Sequence, residues 1–302
     1  VCSSSTSLVR MRNKGEDEMN ENKSKGINIV VRRIIAYVVL VILTILCLVW
    51  FYLLFVNSTR SKGELISGFT PLPSTHFIKN WNGMLHSTQP IVRGMLNSVF
   101  VAACSAALCT YFSTMTAYAI HTYRFKARKA ALTFILAVMM IPTQVTALGF
   151  IQLITKMGLM DNYIPLIIPA IAAPATFFYM KQYMDSVLSM SLVEAARIDG
   201  AGELKIFNRI ALPLMKPAIA VQAIFGFVAN WNNYFTPALV LKEEELKTLP
   251  VLIAELRNAD FMKFDMGIVY MTIAFSIFPV IIVYLLLSKN IVGGVTLGGV
   301  KE

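Results

Sequence analysis

The 302-residue chain is short of charge, with 15% Asp, Glu, Lys and Arg against 56% hydrophobic residues. Soluble globular chains carry about a quarter charged residues, so the composition places this one in the membrane class. The scarcity is concentrated. Six apolar runs, Ile34–Val56, Asn97–Ile120, Ala130–Ile151, Tyr163–Met180, Pro217–Leu241 and Met266–Ser288, contain no Asp, Glu, Lys, Arg or His. Proton- and ion-driven carriers place ionisable groups at membrane depth, so a self-sufficient secondary transporter is disfavoured. Cysteine is scarce too. Cys2, Cys47, Cys104 and Cys109 form no CxxC pair, and three of them lie in apolar runs, which indicates neither a disulfide framework nor a metal site. The histidines His76, His86 and His121 are scattered without an HExxH pattern. No catalytic cluster supports a membrane-embedded enzyme, and without a GxxxxGK[ST] phosphate loop the chain is not itself an ATPase.

What is present is length and apolarity. A bilayer core takes about 20 apolar residues of helix, so the expected fold is an all-α polytopic membrane protein with six transmembrane helices. The fourth run is interrupted by Pro165, Pro169 and Pro174, which neighbouring helices can accommodate. The first is too long, and too far from a small-residue cleavage site, to be a removable signal. A cytoplasmic N-terminus puts 18 of the 27 Lys and Arg on the inner side, so both termini are expected inside. The net charge of +10 then reflects topology rather than nucleic-acid binding. Residues 1–33 are expected to be a cytoplasmic tail, largely disordered because polar and aperiodic, with Val1, Met11 and Met19 as candidate starts. Residues 34–288 form the membrane domain, with a charged cytoplasmic loop at 184–216. Residues 289–302 form a cytoplasmic tail in which the Gly294 and Gly298 spacing marks an irregular end. The outer loops, 57–95 and 242–265, are long enough to meet something outside. Trp81 in the first suits either such contact or simple packing, and Glu243–Glu245 in the second suits a solvated tip.

The charged loop contains "EAARIDGAGELKIFNRIALP", Glu194 to Pro213. Ser191-Leu-Val-Glu194 has the form of a capping box and predicts a helix beginning just after Ser191. Gly200 suits a left-handed C-terminal cap. A second helix is expected over Gly202–Leu212, with Leu204, Phe207, Ala211 and Leu214 at helical spacing, closed by Pro213 and Pro217. The result is a helix–turn–helix elbow with small residues outward and charges such as Glu194 and Arg197 at its rim. It suits docking of another protein, or a solvated loop with ordinary caps.

The order Glu194-Ala195-Ala196, three residues, Gly200, nine residues, Ile210, one residue, Leu212-Pro213 resembles the EAA loop of ABC-importer permeases, with no position departing. "MMIPTQVTALGF", "GLMDNYIPLIIPAIA" and "FVANWNNYFTPALVL" are similar to the carbohydrate-uptake branch, the maltose-permease G-type subunit and multiple-sugar permeases. The likeness runs from about Arg33 to the C-terminus. It implies that Glu194, Ala195, Ala196 and Gly200 form a docking elbow, while Ile210, Leu212 and Pro213 anchor its return to the membrane. It also implies a second permease in a heterodimer, two ATP-binding subunits carrying ATP and Mg, an extracellular or periplasmic solute-binding protein and a prokaryotic cell (inner) membrane. No cofactor or metal is expected on this chain. The neutral polar residues Gln144, Asn230, Trp231 and Asn232 suit sugar hydroxyls along a translocation path. Interhelical hydrogen bonds for the amides, and a membrane-interface position for Trp231, are the alternatives. The implied cargo is a sugar or oligosaccharide; a polyol or glycerol phosphate is the alternative within the family.

Overall fold

The computed structural model describes residues 4–258 and 265–298, and every regular element among them is helical. Helix α1 spans Ser4–Ser58, and the chain through Val56 is a compact unit of its own. The polar segment expected to be disordered is therefore helical from Ser4 onward. It holds no proline to interrupt the helix, and its Glu, Lys, Arg and Met residues, which lose little in a helix, offset the weaker Asn, Ser and Gly positions.

The second unit begins with α2 (Lys62–Ile66), α3 (Phe77–Leu85) and α4 (Ile91–Thr122). It continues through α5 (Arg128–Val138), α6 (Thr143–Lys156), α7 (Ile164–Ile167) and α8 (Pro174–Val187). The elbow follows as α9 (Met190–Ile198), α10 (Glu203–Ile206), a π turn at Phe207–Ala211 and α11 (Leu212–Leu214). The last elements are α12 (Lys216–Trp231), α13 (Phe235–Val240), α14 (Leu249–Asn258), α15 (Met266–Phe275) and α16 (Ile277–Gly298).

Four stretches are long and apolar enough to cross a membrane: Ile29–Ser58, Ile91–Thr122, Ile164–Val187 and Met266–Lys289. A fifth candidate is a bent pair, Glu203–Leu214 with Lys216–Trp231, turned by 80°. The four match four of the expected runs. The third run, Ala130–Ile151, is not one helix, because α5 ends at Val138 and α6 starts at Thr143. Pro142 between them is extended (ψ 131°). A proline donates no amide and drives the residue before it out of the helical region. The fifth run is cut after Trp231 for want of a continuous ladder through Asn232–Tyr234. At the C-terminus α16 is helical through Gly294 to Gly298, so the irregular end expected there is absent. Residues 259–264 of the loop 242–265 lie outside the described residues.

Helix α4 is the centre of the second unit. Ala102, Ser105, Ala106, Cys109, Ser113 and Ala117 are all buried, and such small side chains let neighbouring helices approach closely. The hydroxyls of Thr110, Thr114 and Thr122 donate to carbonyls four residues back at 2.6–2.8 Å, so they do not enter the core unpaired.

A polar knot fixes the segment ahead of α4. The buried Asn80 side chain donates to the carbonyls of Ser58 (2.8 Å) and Arg60 (2.9 Å). The Arg60 guanidinium donates to the carbonyls of Glu64 (2.6 Å) and Gly68 (3.1 Å). Gly267 of α15 seats against this knot. A Cβ there would lie 2.5 Å from the Arg60 carbonyl oxygen and 2.7 Å from Asn80 Nδ2. Trp81 packs edge-on against Phe275, ring centroids 5.3 Å apart. We expect Gly267→Ala to destabilise this unit by about 1–3 kcal/mol through overpacking. Gly63→Ala, where a Cβ meets nothing within 4 Å, should be neutral. Thermal denaturation of the purified protein in detergent measures both, and equal midpoints would contradict the close approach.

Candidate functional site

The elbow is entered through a fixed point. His121, in the last turn of α4, places Nε2 3.0 Å from the Leu188 carbonyl oxygen and Nδ1 2.7 Å from Asp185 Oδ1. With Leu188 held, Ser189 takes the N-cap position (φ −77°, ψ 141°) and α9 starts at Met190. The expected cap at Ser191 is thus two residues late. Ser191 lies inside the helix and donates its hydroxyl to Ser189 Oγ at 3.2 Å. At the other end Gly200 adopts the left-handed conformation expected of it, φ 76°. Its amide donates to the Arg197 carbonyl and that of Ala201 to the Ala196 carbonyl, both at 3.0 Å. These two bonds close the helix end in a Schellman motif.

The second arm starts after Gly202. It widens into the π turn, where the Leu212 amide reaches back to the Phe207 carbonyl. A widened turn suits the proline next in the chain, because Pro213 lacks an amide and its ring crowds the carbonyl four residues earlier. The chain then turns by 80° into α12.

Both arms bury one face. Val193, Ala196, Ile206, Phe207, Ala211 and Met215 join Tyr118, Phe177 and Met184 in a core cluster, with Ile210 and Leu212 packed partly against it. Ala196 therefore faces inward rather than outward as expected. Glu194, Ala195, Gly200 and Pro213 are exposed. So are two large apolar side chains that the sequence reading did not place there, Ile198 at 86% and Leu204 at 69% of full exposure. An apolar side chain that exposed contributes nothing to the fold's own core.

Arg197 is not a free rim charge. Its Nε donates to Glu203 Oε1 at 2.7 Å across the turn, and its guanidinium sits 5.7 Å from the centre of the Tyr123 ring. The second oxygen of Glu203 accepts the Tyr118 hydroxyl of α4 at 3.0 Å. The Tyr111 hydroxyl, two turns earlier on α4, donates to Asn208 at 3.3 Å. One carboxylate thereby joins both arms of the elbow to the central helix. Because Arg197 and Glu203 are each about a third exposed, solvent screens their pairing. A double-mutant cycle of Arg197→Ala and Glu203→Ala should show a coupling of about 0.5–1 kcal/mol in chemical denaturation, and strict additivity would refute the clamp.

The four candidate path residues fall in two places. Gln144 and Asn230 line one half-open cavity of about 830 Å³ between α4, α6, α7, α8, α12 and α13. Trp231 and Asn232 border another, of about 600 Å³, with Tyr234, Leu249 and Arg257. Trp231 is buried and stacked on Phe227, centroids 5.8 Å apart at 14°, which makes it a core residue rather than an interfacial one. Asn233, Thr236 and Thr248 also line the first cavity. Asn233 follows two candidates directly, but Thr248 reaches the cavity only through the α13–α14 connection, which spacing along the chain does not reveal.

Residues 110–294, which hold the elbow and both cavities' α12 wall, match the family described as binding-protein-dependent transport system inner membrane component. The chain belongs to that family. This permease is 32% identical over 274 residues to the arabinooligosaccharides transport system permease protein AraQ of Bacillus subtilis (strain 168), covering 90% of this chain and 96% of the relative. It is 37% identical over 223 residues to the galactooligosaccharides transport system permease protein GanQ of the same organism, covering 72% and 75%. Among solved structures it resembles a bacterial ABC transporter involved in the import of the acidic polysaccharide alginate. There the TM-score is 0.75 and the identity 26%, over 86% of this chain and 96% of that one. The likeness to carbohydrate-uptake permeases read from the sequence holds. The permease is a subunit of a binding-protein-dependent ABC importer, and catalysis is not its part.

Proposed function

We propose that this permease carries an oligosaccharide across a prokaryotic cell (inner) membrane, coupling alternating access to ATP hydrolysis on partner subunits through its elbow. The observation that carries the coupling is the elbow's surface. Ile198 and Leu204 stand out on a scaffold clamped to α4, beside the exposed Glu194, Ala195 and Gly200. A rigid arm with unpartnered apolar knobs has the form of a plug for a groove on another protein. In this reading Glu194, Ala195, Ala196 and Gly200 shape the plug, and Ile210, Leu212 and Pro213 hold its return, Ala196 acting from inside.

The remaining parts follow from one topology. Six crossings are completed by α5 with α6 as a broken span and by α12 with α13, so both termini and the elbow share one side, which the Lys and Arg bias makes the cytoplasm. A second permease forms the other half of the path, and two ATP-binding subunits hold ATP and Mg. A solute-binding protein delivers the cargo to the outer face. Gln144 and Asn230 line this chain's side of the path, with Trp231 and Asn232 behind it. The names of AraQ and GanQ support an oligosaccharide over a polyol or glycerol phosphate.

The test separates docking from folding. Ile198→Glu removes an apolar contact that the chain itself does not use. The variant should insert and melt like wild type, yet bind the ATP-binding subunit at least about tenfold more weakly in co-purification from a reconstituted complex. Wild-type capture and wild-type transport by Ile198→Glu would reject the coupling elbow.

A further inference from the structure

The larger cavity carries information about cargo that neither the fold nor the elbow does. Its wall contains no Asp, Glu, Lys, Arg or His among the described residues. The polar groups it does present are amides and hydroxyls. Asn230 donates one end of its amide to the Gly226 carbonyl at 2.8 Å, and Asn233 accepts the Thr236 amide at 3.3 Å. Each keeps its other end unpaired among the described residues. The Thr248 hydroxyl, in a residue 3% exposed, is buried without a hydrogen-bond partner there. Between these groups the wall is proline, alanine and aromatic ring, including Phe150 and Phe235.

A neutral polyhydroxylated ring fits such a wall. Its hydroxyls can replace water on the free ends of the half-buried Asn230 and Asn233 amides, and its C–H faces can lie on the phenyl rings and prolines. A carboxylate is served less well. Taking an ion out of water is costly unless a counter-ion or several donors meet it, and this wall offers no cation. The solved neighbour is described for an acidic polysaccharide, so the shared fold leaves the charge of the cargo open.

Resting on the importer reading above, we infer that the cavity selects uncharged short oligosaccharides and discriminates against uronate-containing ones. Discrimination resides in this chain's own wall, in addition to whatever the solute-binding protein selects.

The experiment measures equilibrium binding to the assembled transporter in nanodiscs without the solute-binding protein. Galactotriose is compared with trigalacturonate, which matches it in length and linkage class but bears a carboxylate on each ring. Wild type should bind galactotriose at least about tenfold more tightly. Ala229→Lys places a cation on the cavity wall from an exposed position of α12, and should shrink or invert that ratio. Ala229→Gln, neutral and of similar reach, should keep it. Equal or tighter binding of trigalacturonate by wild type, a ratio indifferent to Ala229→Lys, or no binding of either sugar overturns the inference. The importer reading is scored separately, by ATP hydrolysis that rises when loaded solute-binding protein is added. A transporter that passes this and shows a flat sugar ratio loses only the selectivity claim.

Discussion

A single carboxylate, that of Glu203, bonds to Arg197 on the first arm of the elbow while standing on the second, and takes the Tyr118 hydroxyl from α4. The left-handed turn at Gly200 brings Arg197 and Glu203 within reach, and the closed Schellman end keeps that turn from fraying. Without the clamp the two arms are held to the rest mainly by their buried apolar faces. With it, a displacement of the elbow's tip is passed to the helix around which α8 and α12 pack. The buried faces of both arms reinforce this, since Val193, Ile206 and Phe207 share their cluster with Tyr118 and Met184.

The two functional regions lie on the same helices for a physical reason. Helix α4 is lined with small residues through its middle, from Ala102 to Ala117, so its neighbours approach closely there. Its elbow end is tied by tyrosines to the clamp, and farther along it contributes Ser98, Val101 and Cys109 to the cavity. Helix α12 leaves the elbow through the bend at Met215 and carries Gly226, Ala229 and Asn230 to the same cavity. Motion at the elbow therefore has a short covalent and packed route to the cavity wall.

Much of this was legible in the sequence. Charge-free runs located four of the spanning stretches, because burying a charge in lipid is so costly that its absence is informative. Gly200 was readable as a left-handed cap since few other residues tolerate that backbone. The misplaced features share another cause. Ser191 has the right partner at Glu194, but with Leu188 held by His121 the helix starts at Met190, with Ser189 in the N-cap position. Pro142 breaks a run that hydropathy alone treats as continuous. Ala196 and Ala195 are the same residue type, and only packing tells which faces in. The clamp was invisible because Tyr118 and Glu203 are 85 positions apart, and no spacing rule links residues at that distance.

The central claim is that the elbow is a cytoplasmic surface covered by an ATP-binding subunit. The most direct test is chemical accessibility at Ala195, an exposed residue whose small side chain can become cysteine without disturbing the core. In a background with the native cysteines replaced by serine, Ala195→Cys is treated with a membrane-impermeant maleimide in right-side-out and inside-out vesicles. The account predicts labelling only in inside-out vesicles stripped of ATP-binding subunits, and protection when those subunits are restored. Labelling from the outside, or equal labelling with and without the ATP-binding subunits, would contradict it.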